Sequence, residues 1–136
     1  IIGGPLNKED EDYFLSLKNR YESENIQFLG KIKYDELPEK LLEYDVHFNC
    51  AKDGFFDKSI LETLSCEIIN FYKNKDFNYI FGNDFFNFQN SKELVMKLNE
   101  LSNSDSKEIF HRLKNIKLVL EKNSLKTLNQ RISDYL

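Results

Sequence analysis

The chain has 136 residues, the size of one domain. Forty per cent are hydrophobic, with 12 Phe and 7 Tyr, which is enough apolar mass for a core and excludes a disordered chain. Its 19 basic and 23 acidic side chains give a formal charge of −4, which excludes a general pull toward nucleic acid or anionic lipid but leaves room for a local basic site. No stretch has the length and apolarity of a membrane span, and the first residues do not read as a signal peptide.

Ile1-Ile2-Gly3-Gly4-Pro5 reads as the end of a buried strand running into a glycine turn, and such a start suggests a piece of a longer protein. After a polar stretch from residue 7 to 12, Phe14, Leu17 and Tyr21 fall at helical spacing. A short strand over 26–29 ends at Gly30. Leu37, Leu41 and Tyr44 predict a helix over 35–44, with Pro38 tolerated in its first turn. A strand over 46–49 leads to a turn at Asp53-Gly54. Ile60, Leu61 and Leu64 then predict a short helix, capped by Asp57 or Ser59.

Residues 68–72 read as an apolar strand. A polar and aromatic loop follows over 74–83, with a short strand at 79–81, and a last strand covers 85–88. From Ser91, read as a helix cap, the pattern is helical to the end. Leu94, Leu98 and Leu101 mark one helix, Ile109, Leu113, Ile116 and Leu120 a second, and Leu125, Leu128, Ile132 and Tyr135 a third. Alternating strands and helices up to residue 91 predict an α/β fold: a Rossmann-like parallel sheet with helices on both faces, and a helical C-terminal segment.

Ligands of open parallel sheets bind at the carboxyl ends of the strands. Three of the segments expected there hold four of the five glycines: Gly3, Gly4, Gly30 and Gly54. They read as tight turns or as places of close backbone approach to a ligand. The chain has no GxGxxG, no P-loop and no GxSxG elbow. Cys50 and Cys66 read as buried thiols. His47 sits inside a strand and reads as a packed or hydrogen-bonded residue rather than a catalytic one, and His111 reads as part of a solvated helix face. No metal site is expected from these four residues.

The most informative stretch is Asp53-Gly54-Phe55-Phe56-Asp57-Lys58-Ser59-Ile60-Leu61-Glu62. Free N–H groups at a helix start attract anions, phosphate above all, and Lys58 adds a cation at that end. Glu62, four residues on, shares a helix face with Lys58. The pair reads either as ligand contacts or as an ordinary surface pair.

Taken in order, several segments carry a resemblance. They are Ile1-Ile2-Gly3-Gly4-Pro5, Phe28-Leu29-Gly30-Lys31-Ile32, Tyr34-Asp35-Glu36-Leu37-Pro38, Tyr44-Asp45-Val46, Gly54-Phe55, and Asp57-Lys58-Ser59-Ile60-Leu61-Glu62-Thr63-Leu64-Ser65-Cys66. This run resembles the nucleotide-sugar-binding, C-terminal half of a GT-B glycosyltransferase of group 1, or family 4. The end of the chain, from Asn123-Ser124-Leu125 to Tyr135-Leu136, is similar to that family's closing helix.

The resemblance implies one nucleotide-sugar-binding domain over residues 1–136, lacking its first strand and helix. It implies transfer of a hexosyl unit from a nucleotide-diphosphate sugar to a saccharide or lipid-linked acceptor, as in polysaccharide biosynthesis. The acceptor would be held through a missing N-terminal domain, so this chain alone is expected to be inactive. The implied location is the cytoplasm, at the cytosolic face of the membrane through that missing domain. No cofactor, metal or nucleic-acid partner is implied.

Residue by residue, the resemblance implies that Glu62 contacts the donor ribose. Gly54, Phe55, Phe56, Asp57, Lys58 and Ser59 would contact the diphosphate and sugar, and Gly30, Lys31, Ile32 and Lys33 the base. The chain departs from the family at three points. The acid expected eight positions before Glu62 is Gly54, and Asp53, one place earlier, is the candidate catalytic carboxylate. The family's Cys-Gly-x-Pro is represented by Cys66-Glu67-Ile68. The basic pair that grips the diphosphate would lie upstream of Ile1. The other readings are a non-catalytic Rossmann-like module used for binding or protein contact, and another GT-B-like enzyme such as a nucleotide-sugar epimerase.

Overall fold

The computed structural model describes residues 1–5, 7–81, 86–105, 114 and 121. They form a mixed α/β structure that divides into two compact units, Ile1–Lys40 and Leu41–Leu136.

In the first unit the opening residues run parallel to the segment ending at Gly30. Ile2 pairs with Gly30 in the parallel sense, Leu29 N–H donates to Ile1 O at 2.9 Å, and Gly3 N–H donates to Gly30 O at 2.8 Å. The two strands expected here are thus parallel but reduced to a single bridge. Gly3 and Gly30 both take positive φ, 118° and 72°, and turn the chain out of the pairing.

Helix α1 (Lys8–Tyr21) starts because the Asn7 side chain accepts Asp10 N–H at 2.9 Å. Glu9, Asp10 and Glu11 sit at its positive end, and Lys18 and Arg20 at its negative end. Phe14 packs edge-on against Phe28, with centroids 5.8 Å apart. Helix α2 (Leu37–Leu41) is shorter than the 35–44 predicted. Its last turn closes as Tyr44 N–H bonds Leu41 O at 3.0 Å, and Asp45 already feeds the sheet through its carbonyl.

The second unit is built on a βαβ crossover. Strand β1 (Val46–Asn49), helix α3 (Ser59–Ser65) and strand β2 (Ile69–Tyr72) follow in order, and the strands pair in parallel with Val46 opposite Ile69 and Asn49 opposite Tyr72. A third segment extends this sheet, since Tyr72 N–H donates to Phe86 O and Phe88 N–H to Tyr72 O, both at 2.9 Å, in the parallel sense. Ile69 and Lys73 donate instead to Asp45 and Asn49. Alternate residues of a parallel strand bond to opposite sides, so β2 lies between β1 and residues 86–88.

The short strand expected at 79–81 is helical. Lys75–Phe77 forms a 3₁₀ turn that runs into α4 (Asn78–Phe81). The Asn74 side chain accepts Asp76 N–H at 2.8 Å and starts the turn. Phe77, Ile80 and Phe81 then fall at i, i+3, i+4 and are all buried. Helix α5 (Ser91–Asn103) is capped by Asn90 rather than Ser91: the Asn90 side chain accepts Glu93 N–H at 3.0 Å, while Glu93 accepts Gln89 N–H at 2.8 Å. Of the two helices expected beyond α5, only Lys114 and Glu121 are described, both helical. The remainder, His111 and the closing segment included, lies outside the described residues.

The core of this unit joins Ile60 and Leu64 of α3, Phe71 and Tyr72 of β2, Phe77, Ile80 and Phe81, Phe86 and Phe88, and Leu101 of α5. Tyr72 is its hub. Its ring lies 4.6 Å from Phe81 and 6.1 Å from Phe77, and its hydroxyl donates to Asn78 Oδ1 at 3.0 Å. The core thereby fixes the carboxyl ends of β1 and β2, from which the candidate site projects.

Candidate functional site

Two loops leave the carboxyl ends of β1 and β2, residues 50–58 and 73–77, and they are joined by side chains reaching across. Lys75 N–H donates to Asp53 Oδ1 at 2.8 Å, and Gly54 N–H donates to Asp76 Oδ2 at 2.6 Å. Asn74 Nδ2 donates to Phe55 O at 2.8 Å. Phe55 N–H closes a turn onto Lys52 O at 3.2 Å, and Gly54 takes φ +82° as the third residue of that turn. Asp53, the candidate catalytic acid, is therefore a loop-joining residue in this geometry.

Of the two caps the sequence offers, Asp57 and Ser59, it is Asp57 whose side chain accepts an N–H at the start of α3. Its Oδ1 accepts Ser59 N–H at 2.9 Å and its Oδ2 accepts Asn49 Nδ2 at 2.7 Å. Burial pushes the Asp57 carboxyl up, but the bonds from Ser59 and Asn49, with His47 nearby, outweigh it and hold the pKa below the usual value.

The cap changes what the helix start can do. Ile60 N–H points to Asp57 O at 3.4 Å, and Leu61 and Glu62 N–H donate to Lys58 O at 2.9 and 3.1 Å. The N–H donors of Ser59, Ile60, Leu61 and Glu62 are thus taken within the chain. The anion-attracting N–H groups expected here are used by the protein's own acid, and Lys58, exposed, is the remaining positive group at this end.

Glu62 is half-buried beside Ile60, Thr63 and Leu64, which are buried. Among the described residues its carboxylate has neither an ion pair with Lys58 nor another side-chain bond. The ordinary surface pair is therefore not formed in this structure.

Behind the loops lies a polar cluster that the sequence reading missed. His47 Nδ1 lies 2.6 Å from Asn70 Oδ1, Thr63 Oγ1 lies 2.7 Å from the same oxygen, and Asn70 Nδ2 donates to Ile68 O at 2.9 Å. Since Asn70 Oδ1 can only accept, His47 carries its proton on Nδ1. Thr63 and Asn70 are almost fully buried, at 3% and 1% exposure. Their one sequence signal is polarity inside apolar runs. His47 is half-buried and hydrogen-bonded, one of the two states expected for it. Of the two cysteines read as buried thiols, Cys50 is exposed and Cys66 half-buried. Cys50 lies just past the end of β1, where the chain has left the sheet.

The structure thus brings together Asp53, Gly54, Phe55, Phe56, Asp57, Lys58, Ser59 and Glu62 on one loop and the helix after it. Gly30, Lys31, Ile32 and Lys33 belong to the other unit, where Gly30 makes the turn and Lys33 pairs with Glu36 at 3.4 Å. Among the described residues no group of three or more His, Cys, Asp or Glu is placed to hold a metal ion, and no helix is long and apolar enough to cross a membrane. Comparison with family models, with curated proteins and with solved structures finds no match.

Proposed function

We propose that this chain is a nucleotide-sugar-binding domain of a GT-B-like glycosyltransferase. The observation that carries the reading is Glu62: a half-buried carboxylate with no bonding partner among the described residues, one turn into the crossover helix. A carboxylate so placed can accept bonds from vicinal ribose hydroxyls. Lys58, one turn earlier, supplies a cation for the diphosphate.

Two further features support the resemblance. The βαβ crossover is parallel, and Glu67 takes φ +61°. That is the left-handed conformation suited to glycine, at the position where the resembled family has glycine.

In this reading the chain's residues bind and position. Glu62 would orient the nucleoside and Lys58 would offset charge on the leaving diphosphate. A metal is not required for either role. The acceptor would be supplied by another part of the enzyme.

One specific observation favours the second reading, a module that binds without turnover. Asp53, Asp57 and Asp76 each accept a backbone N–H. The loop donors and the candidate acid are committed to the fold.

Calorimetric titration with a panel of nucleoside diphosphates separates the two. The donor-site reading expects binding that Glu62→Ala weakens by about 1–3 kcal/mol, the value of hydrogen bonds to a charged group. Lys58→Ala should weaken diphosphates more than the free nucleoside. No binding by the unaltered protein, or affinity indifferent to Glu62, leaves the non-catalytic module.

A further inference from the structure

We infer that Asn49 and Asn70 are positioning residues for the pair Lys58 and Glu62, two polar pins from the sheet that set the rotation of α3 about its own axis. The inference rests on the donor-site reading for the role of that pair and deepens it. Asn49 ends β1, where the chain leaves the sheet for the tip formed by the two joined loops. Its Nδ2 donates to Ser59 Oγ at 3.2 Å and to Asp57 Oδ2 at 2.7 Å, and its Oδ1 accepts Ala51 N–H at 3.1 Å. Asn70, on β2, accepts the Thr63 hydroxyl on its Oδ1 at 2.7 Å. Both asparagines are buried.

Ser59 and Thr63 lie one helical turn apart, so the two pins act on a single stripe of α3. Lys58 and Glu62 form the neighbouring stripe, about 100° round the axis. Ile60 and Leu64 form the stripe on the other side and belong to the core. Apolar packing holds the helix down, but it is non-directional and tolerates a small turn about the axis. A hydrogen bond weakens steeply once its angle fails. Two such bonds at different heights on the helix are satisfied together at one rotation.

Each pin is itself braced. The Asn70 amide is held by its donation to Ile68 O and by His47 Nδ1 on the oxygen that Thr63 shares. Asn49 is held by the Ala51 N–H. Among the described residues no buried side-chain nitrogen or oxygen lacks a partner. A buried polar network so satisfied is rigid and specifies one arrangement. A ligand spanning Lys58 and Glu62 needs both at one bearing. Glu62 has no side-chain bond of its own among the described residues, so its direction follows the rotation of the helix.

Thr63→Val and Asn49→Ala each remove one pin. The periodic N–H residual dipolar couplings along α3, measured by NMR without ligand, read the helix rotation, and calorimetric titration with nucleoside diphosphates reads the site. Each variant should shift the phase of the couplings and weaken diphosphate binding about tenfold or more. Thr63→Ser keeps the hydroxyl and should restore both. Ile80→Val lowers stability from α4 and should leave both as in the parent, so lost stability alone does not mimic the effect. Couplings unchanged in a folded single-pin variant overturn the proposal. So does a rotated helix with unchanged affinity, or an affinity that falls as far in Ile80→Val. Absence of diphosphate binding by the parent overturns the donor-site reading instead, and the ligand-free couplings still decide whether the pins set the helix.

Discussion

The Asp53 carboxylate accepts the backbone N–H of Lys75 at 2.8 Å, twenty-two residues further along the chain. Its counterpart is Asp76, which accepts Gly54 N–H at 2.6 Å from the opposite loop. Two acids of one sign thus hold two loops together, because each has a peptide N–H to neutralise its approach. The arrangement sets the separation of the carboxyl ends of β1 and β2, where the candidate site begins.

Removing one arm should loosen the tip without unfolding the domain. Asp76→Ala should cost about 0.5–1.5 kcal/mol, the net value of such a bond near solvent. Hydrogen exchange at Gly54 should quicken while exchange at the β2 amides stays as in the parent. Asp53→Asn keeps an acceptor oxygen for Lys75 and should do less than Asp53→Ala. Unchanged exchange at Gly54 in Asp76→Ala would show that the loops are held by other contacts.

At the far end of α3 the chain stores backbone strain. Ile68 N–H bonds Thr63 O at 3.0 Å and Glu67 N–H bonds Leu64 O at 3.0 Å, which is a Schellman stop with Glu67 in the left-handed position. A side chain there costs roughly 1–2 kcal/mol against glycine. Glu67→Gly should therefore stabilise the protein by about 1 kcal/mol and raise Tm by a few degrees. A lower Tm would mean that the interactions of the Glu67 side chain outweigh the strain.

The βαβ unit was legible because Val46 and Phe48, Ile60, Leu61 and Leu64, and the apolar residues of 68–72 fall in three short segments separated by turn residues, and their alternation admits few topologies. The helical turn at 75–81 was not. Asn, Asp and Lys between the rings masked the i, i+3, i+4 spacing of Phe77, Ile80 and Phe81, and Tyr79-Ile80-Phe81 taken alone resembles a strand. At the site, Asp57 could be read as a cap from its position before Ser59. The Asp53–Lys75 and Asp76–Gly54 bonds could not, since they join residues far apart in sequence and depend on where two loops meet. Nor does spacing reveal that the cap uses the N–H groups a phosphate would take.

The cluster of His47, Thr63 and Asn70 makes a stability prediction with a spectroscopic readout. Thr63→Val keeps the shape but removes the hydroxyl, leaving Asn70 Oδ1 with His47 alone. A cost of about 1–2 kcal/mol is expected for an under-satisfied buried group. Asn70→Asp instead puts a carboxylate against His47 Nδ1. NMR titration of that variant should show the imidazole pKa raised, since a neighbouring negative charge favours its protonated form. An imidazole that titrates as in the parent would show that the two side chains do not meet in solution.

Asp57 links the loop to the pH dependence of stability. Burial by itself would raise its pKa, but the bonds from Ser59 and Asn49, with His47 nearby, together outweigh burial and hold it below the ordinary value of 3.8. In the unfolded chain those partners are gone and the carboxyl binds its proton at a higher pH. The folded state therefore gains from ionised Asp57 at every pH above about 4, and the gain disappears as pH falls through the folded value. Asp57→Asn removes the titrating charge, so its deficit against the parent should be largest near neutrality and shrink in acid. The group is only half-buried, and solvent screening limits the neutral-pH deficit to about 1 kcal/mol. Urea unfolding of both proteins at pH 7, 5, 4 and 3 measures it. A deficit that stays constant down to pH 3 would show that the Asp57 contacts work through shape and neutral hydrogen bonding rather than through its charge.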